Sequence, residues 1–280
     1  MTTTDITPPI GADRGLRGKV AVVTGAGSRE DGIGNGRAAA ILLARLGAKV
    51  ALLDDQIAWA ERTHAMIAAE SGESFVVRCD VSRAADCEAA VARTVERWGR
   101  LDVLVNNVGV TGPPGTAVDV DLEAWDLGLR VNLTSMMYMA RFAIPRMRGQ
   151  GAGAIVNIAS VAGLVGGHHA LLYPTTKGAV VALTKAMAAQ HGAEGIRVNC
   201  IAPGMVYTPM VYTRGMTPEM REARRTRSLL QTEGTGWDVG HAVVYLASDE
   251  ARWLTGVVLP VDAGATAGMG GLAVPPSTGR

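Results

Sequence analysis

The sequence has only 3 cysteines, Cys79, Cys87 and Cys200, and no two of them form a C-x-x-C pair. Such spacing offers no structural metal site, and Cys79 and Cys200 fall in apolar runs where a small buried side chain is useful. A reducing, cytoplasmic setting without a metal is the expectation. Net charge is nearly absent too, at +1 over 280 residues, which leaves no field to steer nucleic acid or an anionic membrane. The basic run over 221–227 is interleaved with Glu222 and reads as a solvated helix face. No stretch is long and apolar enough to span a bilayer, and the opening M-T-T-T-D-I-T-P-P-I lacks the basic start and apolar segment of a secretory signal. Residues 1–17 and 266–280 are expected to be flexible tails.

Aromatic residues are scarce as well, at 4%, whereas apolar residues reach 48%, charged residues 19%, and glycines number 35. This is not the composition of a disordered chain; it suits helices and strands joined by tight turns. No composition break divides the sequence, so one large core is expected, in a single domain over about 18–265.

Apolar β-type runs at 19–24, 49–53, 75–79, 101–105, 154–159, 197–201 and 257–261 alternate with helical patterns at 37–47, 86–98, 122–147, 172–190 and 237–247. The alternation predicts an α/β fold: one Rossmann-type doubly wound domain, a seven-stranded parallel sheet with helices on both faces. The least regular segment, about 205–236, carries Met205, Met210, Met216 and Met220 with a short helix from about Pro218, and suits an adaptable lid or, as the alternative, ordinary packing between subunits.

Between the first run and the first helix lies T-G-A-G-S-R-E-D-G-I-G-N-G. Glycines there let the backbone approach a pyrophosphate, and the following helix offers unpaired N–H groups and the positive end of its dipole. Asp54, at the end of the second run, can accept from both ribose hydroxyls, whereas the 2′-phosphate of NADP would meet like charge. NAD is therefore the expected cofactor, with Arg29 the one loop residue able to upset that preference.

A second constellation follows the fifth run. Ser160 would stand at the carboxyl end of the sheet, and Tyr173 and Lys177, four apart on a helix, would project from one face. An ammonium beside a phenol favours the phenolate, as proton exchange near neutral pH requires. Asn132 sits within a helical stretch, where its side chain competes for backbone hydrogen bonds, which fits a functional role, a kink or a tolerated polar position. His168 and His169 border this region and read as a solvent-exposed pair.

Together these residues resemble the short-chain dehydrogenase/reductase family from about 19 to 264. Thr24 and Gly25 with Gly34, Asn35 and Gly36 look like its nucleotide-binding glycine motif, with Gly32 and Gly34 an alternative register for the last two glycines of a loop longer than the family's. Asp80 and Val81 resemble the pair beside the adenine; Asn107 and Gly109 belong to an N-N-V-G similar to the family's N-N-A-G; Pro203, Gly204, Val206 and Thr208 resemble the segment that holds the nicotinamide carboxamide. Asn132, Ser160, Tyr173 and Lys177 match the catalytic tetrad. The resemblance implies hydride transfer between a small-molecule secondary alcohol or ketone and NAD, with Tyr173 as base and Ser160 bonded to the reacting oxygen. Lys177 would also bond the nicotinamide ribose, and Asn132 would hold a water that relays protons. It also implies homo-oligomers, commonly tetramers. A 3-oxoacyl carrier-protein reductase and a non-catalytic NAD(H) sensor are the alternatives, the first disfavoured by Asp54 and the near-neutral charge, the second by the complete tetrad.

Overall fold

The computed structural model describes residues 11–29, 32–213 and 215–268. Its strands are β1 Val20–Thr24, β2 Lys49–Asp54, β3 Ser74–Arg78, β4 Val103–Asn106, β5 Gly153–Ile158, β6 Ile196–Pro203 and β7 Val258–Val261. They make one seven-stranded sheet in the order β3-β2-β1-β4-β5-β6-β7, with every pair parallel. The helices are α1 Asn35–Arg45, α2 Ile57–Ala69, α3 Ala84–Trp98, α4 Leu122–Leu129, α5 Ser135–Gln150, α6 Leu172–His191, α7 Pro209–Tyr212, α8 Pro218–Arg225 and α9 Gly236–Ala247.

β1 shows why the runs are continuous rather than alternating: all five of its residues are buried. Ala21 and Val23 pack into the core on the side of α1 and α9, while Val20 and Val22 enter the core on the side of α3 and α5. A strand covered on both faces must be apolar at every position. The order reverses between β1 and β4, and at such a switch the crevice beyond the carboxyl ends of the strands is open to a ligand.

Helix α2 was not singled out in the sequence. The helical stretch from 122 is longer and less regular than the pattern suggested: α4 passes through a π-helical turn, Arg130–Thr134, into α5, which runs to Gln150. Asn132 lies in that turn, so the irregularity expected from an asparagine inside a helix takes this form.

The segment after β6 leaves the sheet and returns at a parallel bridge between Val206 and Gly234. Glu233 ties α8 to that bridge by accepting from Arg221 Nε at 2.7 Å and Arg224 Nε at 3.0 Å. Arg221 also lies over the Tyr207 ring, 4.0 Å from its centroid.

Of the expected tails, 1–10 and 269–280 lie outside the described residues. The boundary at 17 needs correction, because Leu16 is fully buried in the core and Arg14 pairs with Glu250. At the other end Thr266 donates through both N–H and hydroxyl to Asp262, at 2.8 and 2.7 Å.

Candidate active site

Strand β5 delivers Ser160 to the carboxyl edge of the sheet, two residues beyond Ile158. At the start of α6, Tyr173 faces it, close enough for the Ser160 hydroxyl to act on the phenol. Burial pushes the Tyr173 pKa up, and the Ser160 bond opposes that shift by favouring the phenolate. Lys177, one turn further on, puts its Nζ 5.7 Å from the Tyr173 ring centroid, as the spacing of four predicts. Nζ donates to Ile158 O at 2.8 Å, and burial lowers the lysine pKa to about 8.

Asn132 is completely buried, and both ends of its amide are hydrogen-bonded. Oδ1 accepts from Val110 N at 2.7 Å, while Nδ2 donates to Val110 O at 2.8 Å and Thr176 Oγ1 at 3.1 Å. The side chain thus joins three elements: the π turn, the segment after β4, and α6. Gly109 lies at the centre of this junction. A Cβ there would sit 3.2 Å from Lys177 Nζ and 3.6 Å from Asn132 Oδ1.

A second cradle lies across the switch point, beyond β1. Gly25 adopts φ +61°, and Asn107 Nδ2 donates to the carbonyls of Thr24 and Gly25 at 3.1 and 3.0 Å. Helix α1 begins at Asn35 behind an extended Gly34 with no side-chain cap, so its first N–H groups stay open. Gly36 packs so tightly that a Cβ would lie 2.1 Å from Gly25 O. Gly34 and Gly36 therefore sit at the helix start, whereas a Cβ on Gly32 would strike Tyr212 Oη, at 2.0 Å, and Pro209. Asp54 ends β2 with its carboxylate fixed by the N–H groups of Gly27, 2.9 Å, and Gln56, 3.0 Å. Its pKa is raised, by burial first and against those two bonds, with nearby Asp55 adding to the rise.

The remaining expected contacts lie along the same carboxyl edge. Asp80 follows β3 and turns its Oδ1 to Ser82 N and Oγ, beside a buried Val81. Pro203 ends β6, and Gly204 passes Asp262 so closely that a Cβ would lie 2.7 Å from its Cα. Val206 and Thr208, both buried, lead into α7. The uncapped helix start, the glycine backbone and a buried Asn35 Oδ1 that no protein group satisfies fit a dinucleotide laid across this edge.

Comparison with known proteins agrees with this geometry. A family model described as Enoyl-(Acyl carrier protein) reductase matches residues 27–266. The 2-(R)-hydroxypropyl-CoM dehydrogenase of Xanthobacter autotrophicus is 40% identical over 89% of this chain and 99% of its own. The meso-2,3-butanediol dehydrogenase of Serratia marcescens is 37% identical, over 90% of this chain and 96% of its own. Among solved structures, levodione reductase superposes with a TM-score of 0.85 at 33% identity, covering 90% of this chain and 98% of that one. The chain belongs to the short-chain dehydrogenase/reductase family. It is an oxidoreductase that interconverts a secondary alcohol and a ketone by hydride transfer with a nicotinamide dinucleotide.

Set in this short-chain dehydrogenase/reductase frame, two residues stand out that the sequence reading missed. Arg37 is fully buried on α1 and fastens the extended glycine loop: Nη1 donates to Gly32 O at 2.6 Å, Nη2 to Ser28 O at 3.2 Å and Trp59 O at 3.1 Å, and Nε to Thr63 Oγ1 at 3.0 Å. A lone arginine inside the apolar helix N-G-R-A-A-A-I-L-L-A was its signal, since a buried charge needs partners. His168 is the other, and its assignment to an exposed pair is corrected. It is half-buried and stacks on Tyr173, with ring centroids 5.1 Å apart, while only His169 is exposed.

Proposed function

We infer that this protein is an NAD-dependent dehydrogenase or reductase of small secondary alcohols and ketones, with Tyr173 as its proton-transfer residue. The observation that carries this reading is the convergence of Ser160, Tyr173 and Lys177 at one end of β5. The nicotinamide ring, when bound, supplies the hydride acceptor or donor. In oxidation, the Tyr173 oxygen takes the proton of the substrate hydroxyl while Ser160 Oγ donates to the same oxygen as charge develops there. Lys177 turns its ammonium to the phenol and to the nicotinamide ribose, favouring the phenolate that burial alone would suppress. The amide of Asn132 is committed to Val110 and Thr176, so its part is to hold the segment after β4 against α6.

Gly25, Gly34, Asn35, Gly36, Asn107 and Gly109 would hold the pyrophosphate and neighbouring sugars, Asp80 and Val81 the adenine, and Pro203, Gly204, Val206 and Thr208 the carboxamide end. Asp54 supports NAD: its carboxylate is held by two N–H groups and would repel a 2′-phosphate. Arg29 is drawn to the face of Trp59, 5.8 Å from the ring centroid, instead of pairing with Asp54. Three free, buried cysteines fit a reducing compartment, and no helix among the described residues is long and apolar enough to cross a membrane.

Nicotinamide absorbance with a panel of secondary alcohols, from acyclic to cyclic, tests the reading. Turnover with NAD is expected on one group, and Tyr173→Phe should reduce it at least about a hundredfold while leaving NAD binding largely intact. Retained turnover in that variant would assign the base elsewhere, and a better kcat/KM with NADP would defeat the cofactor assignment.

A further inference from the structure

The residues before α6 bring a third polar side chain to Tyr173. Gly166 and Gly167, the latter at φ +99°, turn the chain so that the His168 ring lies against the tyrosine ring, 5.1 Å between centroids at 30°. His169 stacks on His168 in turn, at 4.5 Å and 24°. Three rings in a row fix the plane of the middle one. Its Nδ1 is turned to the Ala170 main chain, 3.1 Å from the N–H donor and 3.2 Å from the carbonyl oxygen. Nε2 is then the ring nitrogen left for a ligand. Among the described residues none hydrogen-bonds Nε2.

His168 also lines an open cleft of about 260 Å³ with Thr116, Ala117, His169, Leu171 and Pro174. One wall of that cleft is thus a ring packed on Tyr173 whose Nε2 is unused.

We propose that His168 is a substrate-recognition residue, donating from Nε2 to a second oxygen close to the reacting carbinol. The site then takes vicinally oxygenated substrates: 1,2-diols, α-hydroxy ketones and 1,2-diketones. This rests on the alcohol–ketone activity and on Tyr173 as the group that meets the reacting oxygen. With one substrate oxygen at Tyr173 Oη, a donor on the adjoining ring reaches an oxygen on a neighbouring carbon. A monohydric alcohol leaves that donor without a partner in the cleft, and a site built to bond a substrate oxygen discriminates against the analogue lacking it.

The test compares 2,3-butanediol with 2-butanol, and cyclohexane-1,2-diol with cyclohexanol, in wild type, His168→Phe and His168→Gln. Phenylalanine keeps a ring for the stack and removes the donor; glutamine restores an N–H without the ring. Wild type should favour the diol of each pair about tenfold or more in kcat/KM. That ratio should collapse toward one in His168→Phe and recover in part in His168→Gln. An unchanged ratio in His168→Phe would overturn the proposal, and so would a fall in both substrates by the same factor, which is the signature of a ring that only supports Tyr173. Should wild type oxidise none of the four alcohols, calorimetric titration of the NAD complexes with 2,3-butanediol reads His168 alone. Weaker binding by His168→Phe supports the contact; equal binding, or none to wild type, overturns it.

Discussion

Lys177 shows how much of the site's chemistry is set by burial at one residue. Its ammonium is enclosed and its pKa lowered from 10.5 to about 8, so between those values the folded protein binds fewer protons than the unfolded chain. Stability of the dinucleotide-free protein should therefore rise with pH across that window, by roughly 3 kcal/mol if this residue acts alone. Below pH 8 the cost of the buried charge is fully present. Denaturant unfolding at pH 7 and pH 10 measures the rise, and Lys177→Met should flatten it while lowering turnover at least about a hundredfold. A wild-type curve without that rise would mean that the ammonium is better solvated than its enclosure implies. His168 marks the limit of what single residues reveal in a sequence. Its contact with Tyr173 depends on a glycine turn whose path no local pattern specifies, whereas the four-residue step from Tyr173 to Lys177 needs only a helix.

Among the elements, the strands were legible because both faces of the sheet are covered, which makes each strand an unbroken apolar run. Helix α2 was not, since the stripe it buries, Ala60, Thr63 and Ile67, has a threonine in the middle that serves Arg37 rather than the apolar core. The π turn was legible only as an oddly placed asparagine, because its shape answers to Val110 and Thr176, distant in sequence. The excursion after β6 is held differently from the rest, by charge. Glu233, with its side chain 4% exposed, receives both Arg221 and Arg224. Glu233→Gln would leave two guanidinium groups without their counter-charge, so α8 should loosen from the Val206–Gly234 bridge. Trypsin cleavage within 214–227 should accelerate several-fold, and KM for substrate should rise more than kcat falls. If cleavage and KM stay at wild-type levels, the segment is held by its packing and not by this clamp.

At the scale of the whole molecule, the architecture follows from alternation and the ligand edge from Ser160 at the end of an apolar run, so both could be anticipated. The surface could not. Leu122 is 74% exposed, Leu127 53% and Met137 40% along the α4–α5 stretch, and Trp253, after α9, is 89% exposed. Apolar side chains of this size left open on one chain suit cover by further copies. Light scattering should give a particle of about four chains, and a monomer at micromolar concentration would refute the tetramer.

The single guanidinium of Arg37 separates two properties that usually travel together, how long the glycine loop is and where the helix behind it begins. Its bonds to Ser28, Gly32 and Trp59 tie the two flanks of the loop to α2, while Gly36 lets α1 approach Gly25 beyond β1. Length can thus be added on the outer side of the loop without moving the open N–H groups of the helix. For protein engineering, this is a place where a segment can be grafted at the mouth of the dinucleotide cradle with the cradle itself left in register.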